Sequence, residues 1–184
     1  MRVVAGTARG LRLIAPVGES TRPTPERVRE AVFNALYSLG AVDDAAVLDL
    51  FAGTGAMGIE ALSRGAARAV FVERSGEAVA ALRENLETTG LTDRAEVVIG
   101  DVERYLAGAT ERFDVALVDP PYAFADWDGL LENIPADLVV IESGRAVDIP
   151  DGWETHRVKR YGGTVVAIAS PRRSGPDPAG SNSP

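Results

Sequence analysis

From Ala46 to Ile141 the chain alternates short apolar runs with segments whose apolar residues recur at helical spacing, and few architectures accept that rhythm. The runs are Ala46 to Leu50, Ala69 to Val72, Glu96 to Ile99, Phe113 to Val118 and Leu138 to Ile141. Helices are expected between them near Ala56 to Arg64, Ser75 to Thr89, Val102 to Leu106 and Trp127 to Asn133. Such alternation builds an α/β fold with a parallel sheet covered on both faces. Beyond it, Trp153 to Arg160 and Thr164 to Ala169 flank Tyr161-Gly162-Gly163, which predicts an antiparallel hairpin closing one sheet edge.

The ends read differently. Residues 2 to 5 and 11 to 15 are apolar runs separated by Gly6 to Gly10, a hairpin-like extension. Thr24 is placed as an N-cap and Pro25 as the first residue of a helix carrying Val28, Ala31, Val32, Ala35, Leu36 and Leu39 on one face. Residues 170 to 184, rich in Pro, Ser and Gly, read as a disordered tail. The expected organisation is therefore a basic hairpin extension over 1–23, one folded domain over 24–169 and a tail over 170–184.

Composition removes several function classes. At 184 residues and 46% apolar content the chain matches one domain around a single core. No stretch approaches the ~18 to 20 apolar residues needed to span a bilayer, and the N-terminus has no apolar signal core, so a cytoplasmic protein is expected. The absence of cysteine excludes disulfides, cysteine-ligated zinc and attack on a base through a thiolate. No metal is expected. The net charge of -8 hides an asymmetry: residues 1 to 29 hold Arg2, Arg9, Arg12, Arg22, Arg27 and Arg29 against Glu19 and Glu26. A basic end on an acidic chain can meet phosphate, although surface arginines also cluster by chance.

Asp49-Leu50-Phe51-Ala52-Gly53-Thr54-Gly55-Ala56-Met57-Gly58 follows the first strand, opens a helix and ends in G-x-G-x-x-G. The motif alone serves NAD enzymes equally well. Asp49 distinguishes the cases, because a pyrophosphate is repelled by a nearby carboxylate whereas S-adenosylmethionine carries an ammonium and a sulfonium that an anion favours. Glu73, at the end of the second strand, is spaced to accept hydrogen bonds from both ribose hydroxyls. Asp101, after the third strand, can accept from an adenine amino group, though aspartates there also cap helices. Phe51, Gly53, Gly55, Arg74 and Val102 complete the expected cofactor set.

The fourth strand delivers Asp119-Pro120-Pro121-Tyr122 to the same rim. An exocyclic amine on a base is a poor nucleophile because its lone pair is delocalised into the ring. The Asp119 carboxylate and the Pro120 carbonyl can each take one amine hydrogen and so aim that lone pair, while Tyr122 offers a flat face for stacking. Direct methyl transfer needs no covalent enzyme intermediate, so positioning is the main contribution. The competing reading, an ordinary Asp-Pro turn, does not explain why the glycine loop, Asp49 and Glu73 precede it in order.

Taken together, Arg2-Val3-Val4-Ala5-Gly6 with Arg9-Gly10, Arg22-Pro23-Thr24 leading to Arg27-Val28-Arg29-Glu30 and Phe33-Asn34, the glycine loop and Asp119-Pro120-Pro121-Tyr122 resemble the bacterial RsmD-type 16S rRNA guanine-N2 methyltransferases. The resemblance spans nearly the whole chain. It implies a Rossmann-like class I fold with a seven-stranded, mostly parallel sheet. It also implies S-adenosylmethionine as donor, S-adenosylhomocysteine as product, and a guanine N2 of small-subunit rRNA or a protein-bound assembly intermediate as target. By the same resemblance the N-terminal arginines touch RNA, and a monomer is expected. The alternatives are an adenine-N6 DNA or RNA methyltransferase, a protein glutamine methyltransferase, an NAD oxidoreductase and a non-catalytic ribosome-assembly module. The small size disfavours the first, since DNA enzymes of that kind usually need an added target-recognition region and only about 40 residues precede the core. His156, Trp127, Trp153 and Met57 read as ordinary surface or packing residues, and Phe124 as a candidate wall of the base pocket.

Overall fold

The computed structural model describes residues 1–16, 25–121 and 123–172. Seven strands, β1 (Ala46–Leu50), β2 (Arg68–Glu73), β3 (Ala95–Ile99), β4 (Phe113–Val118), β5 (Ala136–Ser143), β6 (Trp153–Tyr161) and β7 (Thr164–Pro171), form one sheet in the order β3-β2-β1-β4-β5-β7-β6. β1 to β5 are parallel, and β7 lies antiparallel between β5 and β6. The helices are α1 (Glu26–Ser38), α2 (Ala56–Ser63), α3 (Gly76–Thr89), α4 (Val102–Gly108) and α5 (Trp127–Asn133). This is the expected architecture. Among the described residues no helix is long and apolar enough to cross a membrane.

Alternation along each strand divides the core in two. Val47, Phe71, Leu117 and Val140 face α1, α2 and α3, packing with Val32, Leu36, Ile59, Leu62 and Leu82. Leu48, Val70, Val118 and Ile141 face the other way, against Val102, Leu106, Leu130 and Leu131 of α4 and α5. Burying each such side chain contributes roughly 1.5–3 kcal/mol, so both faces drive the sheet together. Strand order runs outward from β1 to β3 and then returns to β4. The crevice beyond the strand ends therefore opens between the loops after β1 and β4.

The N-terminal segment forms the expected hairpin-like turn, with Arg2 bridging Arg12 and the Val3 amide donating to the Leu11 carbonyl at 3.0 Å. It is bound tightly to the helices behind it. Val3, Ala8 and Leu13 are buried in the core shared with α1, α2 and α3. Ser63 Oγ donates to the Ala5 carbonyl at 2.6 Å and accepts from the Ala8 amide at 2.9 Å. Asn85 treats residue 14 as a strand neighbour would, accepting from its amide at 2.8 Å and donating to its carbonyl at 3.1 Å.

Arg29 corrects an expectation. Placed among the RNA-contacting arginines by sequence, it is fully buried instead. Its guanidinium donates to the Arg2 carbonyl and to Met1 Sδ, and Nε lies 4.0 Å from Glu60 Oε2. Glu60, also fully buried, accepts from the Val4 and Ala5 amides at 2.8 and 3.0 Å and from Arg64 Nε at 2.7 Å. The arginine faces inward because α1 turns the side of Val28, Val32 and Leu36 to the core, and Arg29 lies on that side. Burial lowers its pKa, with the Glu60 charge opposing that shift.

Two boundaries also shift. Pro25, not Thr24, holds the cap position of α1: its φ and ψ of -56° and 142° are extended, and its carbonyl accepts from the Val28 and Arg29 amides. Thr24 lies outside the described residues. At the other end, Ser170 and Pro171 belong to β7 and not to a tail. Pro171 pairs with Trp153 at the strand's last position, where a missing N–H is tolerated. Residues 173–184 lie outside the described set.

Candidate active site

Just past β1 the backbone turns through three left-handed residues, Phe51 (φ 58°), Gly53 (54°) and Gly55 (76°). For the bulky Phe51 this conformation costs on the order of 1–3 kcal/mol, a strain seen mainly where a loop is held for a ligand. The two glycines serve different ends. A Cβ on Gly53 would meet only the Phe51 carbonyl at 3.9 Å, so its backbone is open to a ligand. A Cβ on Gly55 would lie 2.1 Å from Leu82 Cδ1. Gly55, expected to bind cofactor, thus lets α2 approach α3 and is not among the cavity-lining residues.

The loop borders a cavity of about 760 Å³. Phe51, Gly53, Glu73, Arg74, Asp101, Val102, Asp119, Pro120 and Asp49 all line it, so the structure brings together nearly all of the described cofactor and catalytic candidates. Tyr122 lies outside the described residues. The aromatic wall is instead seen in Phe51, Phe124 and Trp127, packed edge to face with centroids 5.6 and 5.2 Å apart. Phe124, the candidate wall of a base pocket, lines the cavity, and so does Trp127, read as packing alone.

The acidic groups divide their work between holding the loop and facing the cavity. Asp49 Oδ2 accepts from the Gly58 amide at 2.8 Å, and the residue is 4% exposed. Burial raises its pKa well above the usual carboxylate value and the Gly58 hydrogen bond opposes that, while Asp119 and Glu73 add repulsion. Glu73 Oε2 accepts from the Gly53 amide, and Oε1 from the Arg74 and Ser75 amides, each at 2.8 Å. Asp101 Oδ1 caps α4 through the Glu103 and Arg104 amides at 3.0 and 3.4 Å, leaving Oδ2 toward Arg74 at 4.0 Å. The helix-capping reading of Asp101 therefore holds, and the residue also lines the cavity. An enclosure with this many carboxylates suits a cationic nucleoside and opposes a pyrophosphate.

One residue escaped the sequence reading. Glu142, 7% exposed, ends the apolar run of β5 and lines the same cavity. The clue was present, since β1, β2 and β4 also carry an acid at or just past the end of an apolar run. Met1, Pro16 and Pro25 line the cavity too, which is how the N-terminal segment comes to border it. His156 is a surface residue as expected, its Nε2 2.8 Å from Ser170 Oγ.

Residues 1–170 match the protein family described as Conserved hypothetical protein 95. The chain belongs to the RsmD family. The ribosomal RNA small subunit methyltransferase D of Escherichia coli K12 is 36% identical over 176 residues, covering 88% of this chain and 85% of that one. Its Haemophilus influenzae counterpart is 36% identical, covering 88% and 89%. Among solved structures, a hypothetical protein of Thermus thermophilus superposes with a TM-score of 0.80 at 37% identity over 91% of this chain and 98% of that one. The RsmD-family fold is that of class I methyltransferases, to which its structural neighbours belong.

Proposed function

We propose that this RsmD-family chain transfers a methyl group from S-adenosylmethionine to the exocyclic N2 of a guanine in 16S rRNA, within the small subunit or an assembly intermediate. It would act as a monomer in the cytoplasm. What carries the reading is that Asp49, Glu73, Asp119 and Pro120 border one cavity in a chain 36% identical to small-subunit rRNA methyltransferases over most of both lengths.

The cavity fits the donor. Asp49 would face its cationic end, since bringing a cation to a buried acid lowers the cost of ionising that acid. Glu73 keeps lone pairs beyond its three backbone partners with which to accept from ribose hydroxyls, and Asp101 Oδ2 is left for an adenine amine. Val102 and Phe51 supply apolar walls, and Arg74 flanks the ribose side. When bound, S-adenosylmethionine supplies an electrophilic methyl on a sulfur that leaves as a neutral thioether.

Asp119 and the Pro120 carbonyl would each accept one hydrogen of the guanine amine, turning the nitrogen lone pair toward the methyl carbon. As the N–C bond forms, positive charge grows on that nitrogen, and the Asp119 carboxylate stabilises it before the proton departs to Asp119 or water. Tyr122 and Phe124 would hold the extruded base by stacking. The test is to treat small-subunit particles from a strain lacking the protein with tritium-labelled donor and identify the labelled nucleoside. N2-methylguanosine is expected; label in N6-methyladenosine would overturn the base assignment.

A further inference from the structure

Parallel pairing sets Val118 of β4 beside Ile141 of β5. Both point into the core under α4 and α5. One residue further along each strand, alternation turns Asp119 and Glu142 to the opposite face, where Asp49 and Glu73 also lie. The spacing of neighbouring strands, roughly 4.8 Å, puts Glu142 alongside Asp119, and both line the same cavity. The Arg29 guanidinium, buried on α1, lies close enough for its charge to interact with Glu142.

The donor pattern of the base makes this placement informative. Guanine presents N1–H and one N2 hydrogen along its pairing edge, next to O6, and its second N2 hydrogen on the N3 side, three adjacent donors, whereas adenine presents one amine hydrogen beside an acceptor at N1. Asp119 and the Pro120 carbonyl account for two donors. A third acceptor on the same rim completes the match to guanine and repels the N1 lone pair of adenine.

We infer that Glu142 is the base-discriminating residue, accepting N1–H of the target guanine while Asp119 and Pro120 hold its amine. The inference rests on the proposed guanine N2 reaction and adds to it the group that selects the base. Nothing in the chemistry of methyl transfer requires Glu142, so its effect falls on base choice.

A base analogue isolates that effect. 2-Aminopurine keeps the N2 amine but lacks O6 and carries a lone pair at N1 in place of N1–H, so the change in preference between wild type and variant, not the preference alone, reports the contact to N1. Single-turnover rates are compared on small-subunit RNA carrying either guanine or 2-aminopurine at the position the wild-type protein labels. Wild type should prefer guanine on the order of 10- to 100-fold. In Glu142→Gln, whose amide can donate to the analogue's N1, that preference should shrink by about tenfold or more. The ratio is taken within each protein, so a partly unfolded variant does not distort it. An unchanged ratio, with both rates falling together, would show that Glu142 only anchors Arg29 and would overturn the inference. Wild-type label in adenine would overturn the underlying guanine reading as well, and is recognised from the labelled nucleoside before any variant is compared.

Discussion

Asp49 keeps its carboxyl where water hardly reaches, so the ligand-free fold favours its proton. The sign follows. Because the folded pKa is raised, charging Asp49 costs stability as pH climbs from the ordinary carboxylate value of 3.8 through the raised one. A cation bound beside it reverses the preference and expels the proton. Within that window S-adenosylmethionine binding should release a proton, measured by calorimetry in buffers of different ionisation enthalpy. Asp49→Asn should bind more weakly with no such release; equal release from the variant would move the titrating group elsewhere. Asp119 is predicted to act at a later stage. Asp119→Ala should lower kcat by about 10²–10³-fold, the scale for removing one oriented charge-stabilising group, with donor affinity little altered. Full turnover by that variant would remove Asp119 from amine positioning.

The docking of the N-terminal hairpin belongs to whole elements. Its backbone is satisfied by side chains of α2 and α3, chiefly Glu60, Ser63 and Asn85, which act as a substitute sheet edge. Glu60→Ala removes the buried carboxylate on which the Val4 and Ala5 amides and the Arg64 guanidinium converge, and should cost about 3–5 kcal/mol in urea unfolding. Gly6 permits the close approach: its φ is 82°, and a Cβ there would lie 1.8 Å from the Ser63 carbonyl oxygen. Gly6→Ala should therefore lift the hairpin, read as faster amide exchange at Val4, Ala5 and Thr7 with the sheet amides unaffected. The elements themselves were legible in sequence, because strands buried on both faces show as unbroken apolar runs and helices by their spacing. Their contacts were not legible. Glu60 is a lone acid in the apolar helix stretch from Ala56 to Ser63, and only the fold reveals that the hairpin amides, Arg29 and Arg64 converge on it.

At the scale of the molecule, a chain of net charge -8 must meet RNA through local charge. Arg2, Arg9, Arg12 and Arg27 are exposed and available for this, whereas Arg22 lies outside the described residues. Replacing Arg9 and Arg12 together should flatten the dependence of log affinity on log salt by about 0.7–0.9 for each phosphate left without its arginine. Arg29→Met should reduce stability and leave that slope unchanged. A slope indifferent to Arg9 and Arg12 would place the RNA interface on another face.

The amino-acid order by itself determined the alternation of strands and helices, the glycine loop at the first strand end and the Asp119 motif at the fourth. Those depend on hydrophobic period and local turn chemistry, which are properties of neighbours in the chain. Whether a side chain faces solvent, core or cavity depends on what packs against it from distant segments. That is why Arg29 read as an RNA contact and proved a buried strut, why the packing of Gly55 against Leu82 could not be read from the glycine motif, and why Glu142 went unread until β4 and β5 were set side by side.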